Sequence, residues 1–293
     1  MGTLLDLAAV IAPVFAGAGL GYFWARLGEP FDGAFVTRLV TMIGSPCLIA
    51  LSFTRLSVDM ASFGRMAGAA LLAMACFAAL GAAALRLMKL PLHSYLPALM
   101  FPNAGNMGLP LCLYAFGQEG LTLAIVYFAT FSVAQFTIGA SIAAGSAAPG
   151  RILKLPLPYA VLLSLPFMAT HTPLPAVVTN VLEVFAGITI PLMLLALGVS
   201  LAQLRIASLG RALILAGVRL GGGLAVGVVL AWALGFHGAA RGVVIIQSAM
   251  PVAVFNYLFA QLYRRSPGEV AGAIVTSTAI SFVTLPLLLL LAM

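Results

Sequence analysis

The sequence predicts an all-α polytopic membrane protein of ten spans, built as two inverted five-helix repeats. Three observations carry this expectation. Charged residues make up 7% of the 293-residue chain and apolar residues 63%, at a mean hydropathy of +1.16, which is more apolar surface than a soluble domain of this length keeps from water. The apolar runs approach the length of about 20 residues that crosses a bilayer. Two of the runs are broken at a proline, once as Pro102-Asn103-Ala104-Gly105-Asn106 and again as Pro251-Val252-Ala253-Val254-Phe255-Asn256, with the prolines 149 residues apart.

Taken in order, the predicted spans are 4–25, 36–54, 64–88, 95–117, 120–145, 153–171, 176–203, 209–236, 240–262 and 268–292. The first run, Leu4 to Trp24, lacks the basic start of a signal peptide and is long enough to span, so it reads as a retained helix. The connections are too short for an extramembrane domain. The Gly-Ser-Ala-Ala-Pro-Gly stretch at 145–150 is the one linker-like segment, and it divides the chain into a first repeat at 1–145, a linker at 146–152 and a second repeat at 153–293.

Internal similarity supports the repeat. Pro13 meets Pro158 and Pro46 meets Pro191 at an offset of 145, and Gly64-Arg65 meets Gly210-Arg211 at 146. At 149, Pro102 meets Pro251, Leu113-Tyr114 meets Leu262-Tyr263, and Ser132 meets Ser281. Because five is odd, the second half enters the membrane from the opposite side, which makes the repeat inverted.

Basic residues orient the chain. Arg26, Arg38, Arg86, Lys89, Arg151, Lys154, Arg205, Arg211, Arg264 and Arg265 fall on one side, against Arg55, Arg65 and Arg241 on the other. The richer side is expected to be cytoplasmic, with both termini outside the cell membrane. The formal charge of +7 then needs no nucleic-acid partner. Cys47, Cys76 and Cys112 sit inside apolar spans at unrelated spacings, and read as packing residues rather than a disulfide framework or metal set.

The chemistry lies in the few polar groups at membrane depth. Each proline removes a backbone donor and frees polar groups where no water can satisfy them. Paired breaks in two halves are the sequence mark of a transporter's binding site. Pro102, Pro251, Asn103, Asn106 and Asn256 are therefore the substrate-binding candidates. Each carboxamide either satisfies the backbone freed by its own break or also binds a ligand, because an unpaired amide in hydrocarbon costs several kcal/mol. The broken helices also present N-terminal ends, whose partial positive charge favours an anion. Arg219, deep in the eighth span, has two readings: substrate contact, or a structural guanidinium on the carbonyls of a broken helix. Glu183, about two turns into the seventh span, is a possible coupling group or an N-terminal helix stabiliser. No catalytic set, phosphate loop, metal site or cofactor is expected, no acidic or polar cluster behind the breaks is found, and Gly221-Gly222-Gly223 reads as close helix packing.

The segment from Pro102 to Leu111, with Phe116-Gly117 downstream, resembles the fourth-helix signature of the auxin efflux carrier family, which includes bacterial malonate and malate permeases and plant PIN-FORMED carriers. Ile190-Pro191-Leu192 through Leu201, Arg219, and Ala249-Met250-Pro251 through Ala260 resemble its seventh, eighth and ninth helices. The resemblance implies ten helices of the bile-acid-symporter type. Spans 1, 2, 6 and 7 would form a scaffold and homodimer domain, and spans 3–5 and 8–10 an elevator-like transport domain with crossed broken helices. Carried over, the asparagine after the fourth-helix proline is Asn103. Val252 stands where the plant branch usually has a polar residue, and no long cytoplasmic loop follows span 5, which argues against auxin itself. The function expected is transport of small organic anions, secondary active or facilitative, across the lipid bilayer. A sodium-coupled symporter, a channel or sensor, and an intramembrane enzyme are the alternatives.

Overall fold

The computed structural model describes residues 2–55, 60–145, 156–170 and 172–293. The expected linker at 146–152, together with Arg151, Lys154 and His171, lies outside them. The described residues are almost wholly helical, and seven helical stretches are long and apolar enough to cross a membrane.

The first span is α1 (Gly2–Arg26). The second is composite: α2 (Gly33–Leu39), a π-helical turn at Val40–Gly44, and α3 (Ser45–Arg55). Asp32 starts it, its carboxylate accepting the Phe35 N–H at 2.9 Å and so filling one of the donors that a helix start leaves open. The third span is α4 (Met60–Leu87).

The fourth begins as α5 (Leu92–Met100), breaks, and resumes through a π turn at Ala104–Gly108 into α6 (Leu109–Ala134). The run from Ala104 to Ala144 holds 41 residues, about 60 Å of helix at 1.5 Å per residue, twice the bilayer core. It is folded in two at Gly117, whose φ of 63° and ψ of −153° suit a residue without Cβ. The part before Gly117 completes the fourth span, and the part after it is the fifth, finishing through a π turn at Gln135–Gly139 and α7 (Ala140–Ala144).

The sixth and seventh spans are α8 (Pro156–Thr170) and α9 (Ala176–Gln203), and the eighth is α10 (Leu209–Ala233). The ninth is split into α11 (Gly238–Ala249) and α12 (Phe255–Leu262), and α13 (Pro267–Ala292) is the tenth.

Two packing groups emerge. In one, α1 runs along α9, and α3 packs on α8 and α9. A Cβ on Gly198 would strike the Ala18 carbonyl, so α1 and α9 approach at backbone distance. In the other group, α10 packs on α4, α11 and α13, while α4 and α11 also hold α6. The groups meet where α6 touches α1 and α3, and where α9 touches the turn at Ala104–Gly108. The triple-glycine stretch behaves as close packing at Gly223, where an added Cβ would collide with the Ser248 carbonyl and the Arg219 guanidinium.

Candidate substrate site at the helix crossover

The two broken spans cross at their breaks. Pro102 and Val252 form an isolated antiparallel bridge, with Asn103 N–H donating to Pro251 O at 2.7 Å and Ala253 N–H to Phe101 O at 3.1 Å. A helix would have sent the Asn103 N–H to Leu99 O and the Val252 N–H to Ser248 O. The first goes instead to Pro251, and the second to the Ser277 hydroxyl at 3.1 Å. Carbonyls are thereby left over at the ends of α5 and α11, and buried carbonyls need donors.

Arg219 supplies them. Its side chain is 2% exposed; Nη1 donates to Leu99 O at 2.8 Å, Nε to Met250 O at 3.2 Å, and Nη2 to Ser248 O. One rigid fork thus serves the C-terminal ends of both half-helices, where the helix dipole is negative. Its face lies on the Phe77 ring, with Cζ 4.1 Å from the centroid. This is the geometry of the structural reading of Arg219.

Asn256 and Asn103 differ. Asn256 is 2% exposed; its Nδ2 donates to Phe101 O at 3.1 Å, and its Oδ1 accepts from Gln135 Nε2 at 3.1 Å. Of the two readings the sequence leaves open, its own break or a ligand, it takes neither as such: it satisfies the other span's break, because the crossing brings Phe101 O within reach. Asn103 is 3% exposed, and its Nδ2 is buried without an acceptor. Asn106 is half-buried.

Asn103, Asn106 and Pro102 line a cavity of ≈ 30 Å³, room for about two waters. Its wall is drawn from three π turns: Val40 and Thr41 from the first, Gly105 and Asn106 from the second, Gln135 and Phe136 from the third. Such wide turns concentrate at functional sites. Each ends in glycine, and a side chain from another segment fills the space: Thr189 at Gly44, Gln247 at Gly108 and Phe101, at the break after α5, at Gly139. Pro251 and Asn256 stand behind the wall, Asn256 being joined to it through Gln135.

A second chamber of ≈ 630 Å³ opens further along α3 and α9, lined by Ser52, Tyr114, Gln118, Glu183 and Ile190 among others. It continues the same interface, since Ser45 and Met193 line the small cavity, whereas Leu48, Ile190 and Pro191 line the large one. Glu183 is half-buried there, away from the crossover residues.

Sequence reasoning missed several polar residues around the crossover. Gln135, Gln247, Ser248, Ser277, Thr278 and Ser281 are all buried. Ser281 Oγ approaches Met107 Sδ at 3.8 Å and Tyr127 shares a 2.9 Å hydrogen bond with Ser248. The expectation of no polar cluster behind the breaks is therefore corrected: the cluster exists, made of hydroxyls and carboxamides. Singly, each is an ordinary polar residue in an apolar helix, and only the crossing assembles them.

Crossed, interrupted helices around a small polar cavity stand within a polytopic helical membrane protein. Residues 147–289 match the family model described as "Membrane transport protein". The chain is also 28% identical over 191 residues to an uncharacterized transporter of Methanothermobacter thermautotrophicus, a match covering 63% of this chain and 63% of the relative, so under two thirds of that protein's length. Both similarities are to membrane transport proteins.

Proposed function

We propose that the protein carries small organic carboxylates across the cell membrane, with the substrate's carboxylate held at the crossover. The observation that carries this reading is the Asn103 carboxamide. Its Nδ2 is a buried donor with no acceptor, on a residue that lines the cavity and precedes the half-helix at Ala104–Gly108. An unpaired buried donor costs about 1–3 kcal/mol, and a carboxylate oxygen removes that cost. The N-terminal ends of the half-helices add positive potential where the anion would sit, while Arg219 cancels the negative C-terminal ends behind them.

Movement follows from the two packing groups. Spans 1, 2, 6 and 7 act as scaffold and homodimer surface, and spans 3–5 and 8–10 slide against them as an elevator, both halves being inverted copies. With both termini outside, the ≈ 630 Å³ chamber is an outward vestibule, and Glu183 within it is the coupling candidate. The neutral polar shell behind the crossover keeps a sodium-coupled reading in play, since hydroxyl and amide oxygens are hard ligands for such an ion.

Counterflow of labelled carboxylates in proteoliposomes, with and without pH and sodium gradients, tests the proposal. Saturable exchange supports a carrier. Flux that does not saturate or counter-exchange identifies a channel, and absence of any carboxylate movement in folded protein defeats the reading.

A further inference from the structure

We propose that the basic side of spans 3–5 and 8–10 carries a docking surface for the headgroups of anionic phospholipids, centred on Lys89 and Arg264. The inference does not depend on what the protein transports. Both residues hold left-handed backbone, each with a φ of 54°. Lys89 stands just past α4 and Arg264 just past α12, and in each case the next N–H reaches back over the turn: Leu90 N–H donates to Leu85 O and Arg265 N–H to Ala260 O, both at 2.8 Å. Glycine is the usual residue at such a position, because a Cβ on left-handed backbone crowds the following carbonyl. Gly28, Gly145 and Gly235 fill it after α1, α7 and α10. Gly235 is moreover the repeat counterpart of Lys89, at the offset of 146 that pairs Gly64-Arg65 with Gly210-Arg211. The Phe236 N–H makes the equivalent bond there, to Ala231 O at 2.9 Å. One half of the chain makes this turn with glycine, the other with a strained lysine.

The fold alone gives no reason for that strain. Both side chains are exposed, and among the described residues neither makes a hydrogen bond, an ion pair or a ring contact. A cation does favour the negative end of a helix, but α10 ends in the same conformation at Gly235 without one. An excess of cations orients a membrane protein wherever in a loop they stand, so orientation does not call for the one position where a side chain is strained. The two loops also meet. α5 packs on α12 and α13, and His93 and Arg265 line one small cavity between them. With Arg86 exposed one turn before Lys89, the loops present a single cationic face. Residues 86–93 and 262–270 hold one acid, Glu269, whose carboxylate is paired with Arg211 at 2.8 Å. At the ends of membrane-spanning helices the anions at hand are lipid phosphates, and an anionic leaflet attracts each exposed cation beside it.

The experiment compares thermal midpoints in nanodiscs of phosphatidylcholine alone and of phosphatidylcholine with phosphatidylglycerol, for wild type and for the double variant Lys89→Gly/Arg264→Gly. In wild type, phosphatidylglycerol is expected to raise the midpoint, and high salt to remove most of the rise. In the double variant the midpoint in phosphatidylcholine is expected to hold or rise, since glycine relieves both strained positions, while the rise from phosphatidylglycerol falls by about half or more. No rise in wild type, or an equal rise in both proteins, overturns the inference and leaves the two cations to membrane orientation. A clear drop of the variant's midpoint in phosphatidylcholine also overturns it, by making them helix caps. Stabilisation of wild type in phosphatidylcholine by sn-glycerol 1-phosphate, as strong as that by phosphatidylglycerol, overturns it in favour of a soluble anion.

Discussion

The backbone N–H of Asn103 donates to the carbonyl of Pro251 at 2.7 Å, so each break in the chain is held by the other. The same bond that joins the two spans releases Leu99 O from its helical partner, and Arg219 takes it up at 2.8 Å. Crossing, arginine and cavity are therefore one arrangement: the prolines interrupt the helices, the interruption frees carbonyls, and a buried cation collects them. Among the buried polar atoms left unmatched around it are Asn103 Nδ2, on a residue that lines the cavity, and Gln247 Oε1 and Thr278 Oγ1.

Asn103→Ala separates binding from folding. Removing a donor that has no partner leaves no new orphan, so the thermal midpoint of the purified protein is expected to hold or rise. Carboxylate affinity in counterflow is expected to fall by about 1–3 kcal/mol, the worth of a hydrogen bond to a charged group. Unchanged affinity would return Asn103 to a purely structural role.

Asn256→Ala should behave differently, because its carboxamide joins Phe101 O to Gln135 Nε2. Truncation strands both groups, at about 1–3 kcal/mol for each one left unsatisfied. A lowered thermal midpoint together with weakened transport is expected. A midpoint equal to that of wild type would contradict the bridging role.

Arg219→Lys and Arg219→Gln test the clamp. A lysine ammonium offers three donors from one nitrogen and cannot span carbonyls on two helices as the planar fork does. Both variants are expected to lose stability, Arg219→Gln by about 3 kcal/mol or more because it also removes the charge that faces two helix C-termini. Retention of wild-type stability by Arg219→Gln would show that the three hydrogen bonds carry little.

Gly139→Ala probes the third π turn. An added Cβ would lie 2.6 Å from the Phe101 ring, which is rigid and belongs to the crossover itself. Overpacking of this kind costs about 1–3 kcal/mol. A lower thermal midpoint and slower exchange are expected, whereas Gly19→Ala, with no atom within 4 Å of its would-be Cβ, should change neither.

The large chamber gives an accessibility test. In a background lacking Cys47, Cys76 and Cys112, a cysteine at Gly187 should react with a membrane-impermeant thiol reagent applied from outside the cell, since Gly187 lines that chamber. Labelling only from the inner face would reverse the proposed orientation.

Much of the candidate site was legible in the chain. Pro102 and Pro251 stand out because proline in a membrane-length apolar run has one physical consequence, a broken helix. Asn103, Asn106 and Asn256 stand out because amides at that depth demand partners. Gln135 and Ser277 did not, since a single polar residue in a long apolar helix carries no mark of which neighbour it will face. The π turns were invisible too: each inserts one residue into a helix without changing its apolar character, and the close approach of Phe101 to Gly139 is a tertiary contact.

By itself the sequence determined that the chain is a polytopic helical membrane protein and where two of its helices must break, because hydropathy and proline chemistry act locally and need no partner. The tertiary structure alone decided which asparagine is satisfied and which is not. Asn256 and Asn103 are the same amide in similar apolar surroundings, yet one meets Phe101 O and Gln135 across the crossing, while the other keeps a buried donor beside the cavity. The difference is set by which carbonyls the crossing brings within about 3 Å, a distance that hydrogen bonding requires and that no one-dimensional pattern encodes.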